Sequence, residues 1–214
     1  MPTLIRVFSI ISLIFLSTSC KHLKVDGERV EVDGNVFEVP YFNEDDKDYL
    51  YSAKIIAYGN EMSGLLVIKK IGHEHKRLAL LTDFGNTLLD MEFVNEEIKI
   101  NYVVEDLDRK LILNQLKKNF QLLLHSKYLL KQRYKNDEGE VLTSEFQKKH
   151  VFLHVSEKGY LKKLIQAGTF KKKAEINYSG ENKTAELIHF TSNKLPLEVI
   201  LRKKVNKKQI EGKE

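Results

Sequence analysis

Residues 77–93 read RLALLTDFGNTLLDMEF. Two apolar arms, Leu78 to Leu81 and Leu88 to Phe93, flank the polar hexapeptide Thr82-Asp83-Phe84-Gly85-Asn86-Thr87. Asp, Gly and Asn suit a turn, because Gly reaches positive φ without steric cost while Asp and Asn bond their own backbone. The stretch therefore predicts a β-hairpin. Phe84 is out of place in it. A large apolar side chain at a turn either folds back onto the sheet or stands out into solvent, and residue type alone leaves both open.

Working outward, the same period-2 pattern continues on both sides. Tyr49 to Tyr58 reads as a strand, turned by Gly59-Asn60-Glu61 into a second at Gly64 to Ile71. In that second strand Leu66 and Ile68 share one face, and Leu65, Val67 and Ile71 the other. Gly72-His73-Glu74 turns into the central hairpin, and Asn95-Glu96 turns out of it towards Ile98, Ile100, Tyr102 and Val104. Alternation with turns this closely spaced predicts an antiparallel meander rather than βαβ units. Upstream, Val25, Val30, Val32, Val36 and Val39 predict one or two short strands, with Asp33-Gly34 as a hairpin turn.

The period changes after Val104. Asp106 and Asp108 offer an N-cap and negative charge where a helix dipole favours it. Leu113, Leu116, Phe120, Leu123 and Leu124 then recur at helical spacing, predicting a helix of about five turns that ends near Lys127. Beyond an ambiguous stretch from Lys127 to Tyr134, strands resume at Val141–Phe146, Val151–Val155, Tyr160–Ala167, Ala174–Tyr178, Ala185–Phe190 and Leu197–Leu201. Pro196 fits the start of an edge or terminal strand. About ten strands and one long helix make a mainly β protein. A sheet that large must curl, and one helix cannot cover its whole concave side. The fold class predicted is an antiparallel sheet curled into an incomplete half-barrel, covered or plugged by the helix. Its hollow would suit something long and greasy.

Composition narrows the function. At 42% hydrophobic and 30% charged the chain is globular, and 214 residues allow one sizeable core. A net charge of +5 permits anionic partners, but no basic stripe with interleaved aromatics marks a nucleic-acid surface. The single cysteine, Cys20, excludes an internal disulfide. It follows Arg6, the apolar run Val7 to Leu16, and Leu16-Ser17-Thr18-Ser19, the layout of a secretory signal ending in a bacterial lipobox. The branched apolar residue stands four places before the cysteine instead of three. The apolar run is well short of the ~20 residues that span a bilayer. The expected division is a signal peptide at 1–19; acylated Cys20, tether and first edge strand over 20–47; a half-barrel at 48–203; and a basic tail at 204–214. Several acyl chains on Cys20 would anchor durably, each buried methylene adding ~0.8 kcal/mol.

With these residues in view, Arg77-Leu78-Ala79-Leu80-Leu81-Thr82-Asp83-Phe84-Gly85-Asn86-Thr87-Leu88 resembles the segment Arg-Leu-x-Leu-x-x-x-Leu-Gly-x-x of the outer-membrane lipoprotein receptor family LolB. In that family an apolar residue just before the glycine protrudes from a loop between strands, and Phe84 holds that position. The lipobox, the meander before a helix and the closing strand after Pro196 are also similar to the LolA/LolB-like fold. The chain departs from the family in having no tryptophan and in bearing Phe where the loop usually carries Leu. The resemblance implies a lipoprotein at the periplasmic face of the outer membrane. It would accept acylated proteins or related amphiphiles from a periplasmic carrier and insert them into the membrane, as a monomer and without a cofactor.

The candidate sites follow. Cys20 is the lipidation site, and Phe84 with Gly85 forms the membrane or cargo-transfer loop. Leu65, Leu80, Leu89, Phe93, Ile100, Leu116, Phe120 and Phe190 are candidates to line an acyl-chain cavity, though a one-residue slip of register would invert any face assignment. His73 with His75, and His150 with His154, lack further zinc ligands at suitable spacing. No nucleophile elbow, P-loop or dinucleotide fingerprint is present, so catalysis is not expected. The alternative expectation is an envelope interaction module with the same fold and no lipid cargo.

Overall fold

The computed structural model describes residues 25–204 apart from residues 33, 46, 96, 170, 181, 182, 194 and 195. The signal segment, Cys20 and the end of the basic tail lie outside the described residues. In chain order come β1 (Glu28–Val30), β2 (Val36–Glu38), β3 (Asp48–Ala57), β4 (Asn60–Gly72), β5 (His75–Leu81), β6 (Thr87–Val94) and β7 (Glu97–Val103). A 3-10 turn (Glu105–Leu107) leads into helix α1 (Lys110–Leu124). Then follow β8 (Lys127–Leu129), β9 (Gln132–Asn136), β10 (Gly139–Phe146), β11 (Lys149–Ser156) and β12 (Leu161–Ala167). The last three are β13 (Lys172–Ser179), β14 (Leu187–Ser192) and β15 (Leu197–Lys203).

Thirteen strands form one antiparallel sheet, ordered β1-β9-β10-β11-β12-β13-β14-β15-β3-β4-β5-β6-β7. The meander of β3 to β7 keeps the hairpins read from the sequence. Leu80 pairs with Leu89 and Leu78 with Met91, so residues 77–93 form the hairpin β5–β6. Its ends β1 and β7 are not bonded to each other, so the sheet stays open.

The curl follows from two contacts. In sheet order β10 and β5 stand eight steps apart, roughly 38 Å in a flat sheet at ~4.8 Å per step. Yet Gln147, in the turn after β10, donates to Gln121 Oε1, and Lys76 on β5 donates to the Leu124 carbonyl at 2.9 Å. Those two helix residues are less than one turn apart. Only a sheet wrapped around the helix reaches both. The concave face carries the alternate residues Tyr49, Tyr51, Ala53 and Ile55 of β3, Leu66 and Ile68 of β4, and their partners across the sheet, all buried. Residues 39–42 thread the interior as well. Tyr41 stacks on Tyr178 with ring centroids 4.8 Å apart, and Phe42 meets Tyr49 edge to face at 5.2 Å.

Four expectations need correction. β1 and β2 do not pair as a hairpin: β1 pairs with β9, and β2 pairs with β8 in a separate two-stranded sheet, while Asp33 of the expected turn lies outside the described residues. A strand of three residues gains little from pairing with its sequence neighbour, so its partner is set by distant chain segments. The helix is shorter than read, 15 residues from Lys110 to Leu124, and Lys127 begins β8. Asp106 and Asp108 do not cap it. They belong to the 3-10 turn, and Arg109 stands at the helix N-cap with no side-chain cap bond. Finally, the strands among the described residues number fifteen and not about ten: eleven come from the alternating stretches, and the segments before residue 40 and around residue 130 each give two short ones.

Candidate functional site

The meander places three features on one rim. Antiparallel strands alternate in direction, so the β3–β4 turn, the β5–β6 turn and the exit from β7 all fall at the same end of the sheet. The β5–β6 turn is fixed locally: Thr82 N–H donates to the Asn86 carbonyl at 2.8 Å, Gly85 N–H to the Thr82 carbonyl at 3.0 Å, and Asn86 N–H to Thr82 Oγ1 at 3.1 Å. Gly85 has φ +88°, which suits glycine. Gly64 of β4 lets β5 end close by, since a Cβ there would lie 2.1 Å from the Leu81 carbonyl oxygen. These bonds use the polar residues of the turn and leave Phe84 pointing outward, 95% exposed.

At the same end of the sheet, a cleft of about 920 Å³ opens between the β3–β4 turn and the start of α1. Its apolar wall comprises Ile55, Ala57, Met62, Leu107 and Ile112, with Glu61, Asp106, Arg109 and Lys110 also lining it. The volume falls in the ~300–1,000 Å³ range of ligand pockets. Tyr58, 49% exposed, and Leu111, 67% exposed, flank the opening. Apolar surface entering such an opening would leave water, at about 25 cal/mol per Å².

Of the residues expected to line a hollow, Leu80, Leu89, Phe93, Leu116, Phe120 and Phe190 are buried in the core, and Ile100 is half-buried against it. None of these seven lines the rim cleft. Leu65 goes elsewhere. It pairs with Leu81 and Ser52, so the pleat turns it to the outer face, opposite Leu66 and Leu80. The histidines are dispersed: His75 pairs with Glu92 at 3.1 Å and His189 with Glu198 at 2.6 Å, both on the outer face. His154 is half-buried there, and burial together with the Lys163 charge pushes its pKa down.

Three polar features escape a reading based on apolar periodicity. On the outer face Arg77 makes two bonds to Asp90, at 2.9 and 2.5 Å, and these hold the Asp90 carboxyl below the usual carboxylate range. Inside, Lys76 is buried at the far end of the helix. It donates to the Leu124 carbonyl at 2.9 Å and to Ser126 Oγ at 2.7 Å, and Ser126 in turn donates to Asn43 Oδ1 at 3.0 Å. Burial, reinforced by the Lys70 charge, lowers the Lys76 pKa to about 8. The period-2 alignment of Lys76 with Leu78 and Leu80 carried that signal. The third feature is a buried amide pair on the helix, in which Gln115 Nε2 donates to Asn119 Oδ1 at 2.7 Å and to Ser192 Oγ at 3.0 Å.

No protein-family model matches the chain, and no curated protein matches it. Solved structures do. The chain is similar in fold to a LolA superfamily protein from Nitrosomonas europaea, with TM-score 0.50 and 12% identity, covering 77% of this chain and 86% of that one. A DUF1329 family protein from Desulfovibrio piger matches with TM-score 0.42 and 8% identity over 76% of this chain and 85% of that one. At such identity the likeness is one of architecture: the fold is an open, LolA-like antiparallel half-barrel wrapped around one helix.

Proposed function

We propose that this protein is a membrane-anchored envelope lipoprotein that shelters the acyl chains of lipoproteins or related amphiphiles and passes them to the outer membrane. Cys20 would carry the anchor. The observation that supports this reading best is the rim: an outward Phe84 at the same end of the sheet as an apolar-walled cleft. Burying a large exposed side chain is worth ~1.5–3 kcal/mol, so Phe84 gains by entering a bilayer or a carrier's groove. Transfer then needs an intermediate affinity. Cargo moves downhill when the cleft holds it more tightly than the donor and less tightly than the membrane. The role proposed is binding and release, not bond making.

The test is Phe84→Glu. Fold stability should stay within ~0.5 kcal/mol of wild type, as for other surface changes, while delivery of acylated protein to vesicles falls strongly. Equal delivery by the variant would overturn the reading.

One observation favours the alternative, an interaction module without lipid cargo. Tyr41, Phe42, Tyr49, Tyr51, Phe120 and Tyr128 fill much of the interior with the chain's own aromatic rings. Mass spectrometry of material co-purifying with the protein separates the two, since an interaction module would carry no fatty ligand.

A further inference from the structure

Asn119 is an anomaly of the interior. It stands on α1, 4% exposed, among the buried Leu116, Phe120, Leu122 and Leu123. Its Oδ1 accepts from Gln115 Nε2, which fixes the carboxamide, while its Nδ2 has no hydrogen-bond partner among the described residues. The Tyr128 hydroxyl, in the same interior, is likewise buried without one. Leaving a buried donor unsatisfied costs ~1–3 kcal/mol. The position also has an address. Ile112, Gln115 and Asn119 follow the i, i+3, i+7 spacing that puts side chains on one stripe of a helix. Ile112 lines the rim cleft. Seven residues further, at 1.5 Å per residue, Asn119 lies roughly 10 Å deeper along the same stripe.

We propose that Gln115, Asn119 and Ser192 form a polar seat inside the half-barrel, and that it takes the carbonyl oxygen of an acyl ester or amide. The inference rests on the acyl-binding reading above and adds a specificity to it. Gln115 is anchored to Ser192 on β14, at 3.0 Å, so the seat is tied to the sheet and not to the helix alone. Asn119 Nδ2 supplies the donor that an ester or amide carbonyl needs once it leaves water. A saturated hydrocarbon offers no acceptor and leaves Nδ2 unsatisfied. The seat therefore draws the linkage of the cargo, and not merely its tail, past the rim.

The test uses the full chain carrying Cys20→Ser, with a fluorescent apolar dye displaced by methyl laurate or by n-tridecane. Asn119→Leu should weaken methyl laurate up to about tenfold, the span of one net hydrogen bond, and leave tridecane unchanged. Retained tridecane binding shows that the variant is folded. Independently of any variant, the ester carbonyl stretch of bound methyl laurate should move to lower wavenumber than in an alkane solvent. Methyl laurate bound with an unshifted carbonyl, or equally well by Asn119→Leu, overturns the seat and leaves acyl binding standing; a buried water only would then satisfy Asn119. If wild type binds neither probe, the acyl-binding reading fails and the seat with it.

Discussion

The two ends of helix α1 are built differently. At its C-terminal end the structure is stitched: Lys76, Ser126 and Asn43 form a chain of hydrogen bonds onto the last turn, Gln147 holds Gln121, and the space left is about 40 Å³. Towards its N-terminal end the ties are fewer: Gln115, in the second turn, is bonded to Ser192 of the sheet. Arg109 provides no side-chain cap, the first turn has no acidic residue to meet the dipole, and a cleft of about 920 Å³ lies alongside. The contrast assigns the work. One end ties the sheet to the helix, and the other leaves an apolar-walled cleft, where the proposed cargo would enter.

That contrast can be broken most severely in the core between the two ends. Phe120→Ala should cost ~3–5 kcal/mol in urea unfolding, because the ring is 2% exposed and packs inside the sheet. A loss below 1 kcal/mol would mean that the helix is not seated as described.

Lys76 tests the stitched end. Its folded pKa, about 8, lies below the ordinary 10.5, so between those values the unfolded chain holds a proton that the folded chain has released. Stability then rises with pH through that window, by up to about 3 kcal/mol. Lys76→Met should remove this rise, seen as a flatter plot of unfolding free energy from pH 7.5 to 9.5. Parallel curves for the two proteins would contradict the buried amine.

Gly64→Ala tests the rim. The new methyl meets the Leu81 carbonyl, and overpacking of this kind costs ~1–3 kcal/mol. Because Leu81 precedes the Phe84 turn, the variant should also alter amide signals of residues 82–86. The smallest effect belongs to Leu111→Ser, expected within ~0.5 kcal/mol of wild type because the side chain is largely in water. A large loss there would erase the distinction between the two ends.

Much of the architecture was legible beforehand. Strand positions from β3 to β7 and from β10 to β15 follow from alternation of apolar residues, because the pleat repeats every two residues whatever the partner. The loop of Phe84 was legible from Asp, Gly and Asn for the same local reason. Residues 25–40 were misread because strands of three residues take their partner from distant edges. The helix start was misread because residues 105–107 form a separate 3-10 turn, closed by backbone bonds of Leu107 and Asp108 to Val104 and Glu105, ahead of the helix. At the candidate site, periodicity named Leu65, Leu80, Leu89 and Phe93 alike and could not settle their face, which depends on register; the structure turns Leu65 outward and the other three inward. Gln115 and Asn119 lay in plain view, four residues apart on the apolar helix stripe, yet residue type alone does not tell a buried amide from a solvated one.

The amino-acid order, then, determined the periods, the turns and the greasy stripe of the helix, all properties set within a few neighbouring residues. Tertiary structure alone decided that the sheet wraps the helix without closing, that Lys76 and Asn119 are taken out of water, and that Phe84 is left in it. Burial depends on which distant surfaces meet, and no local pattern encodes that.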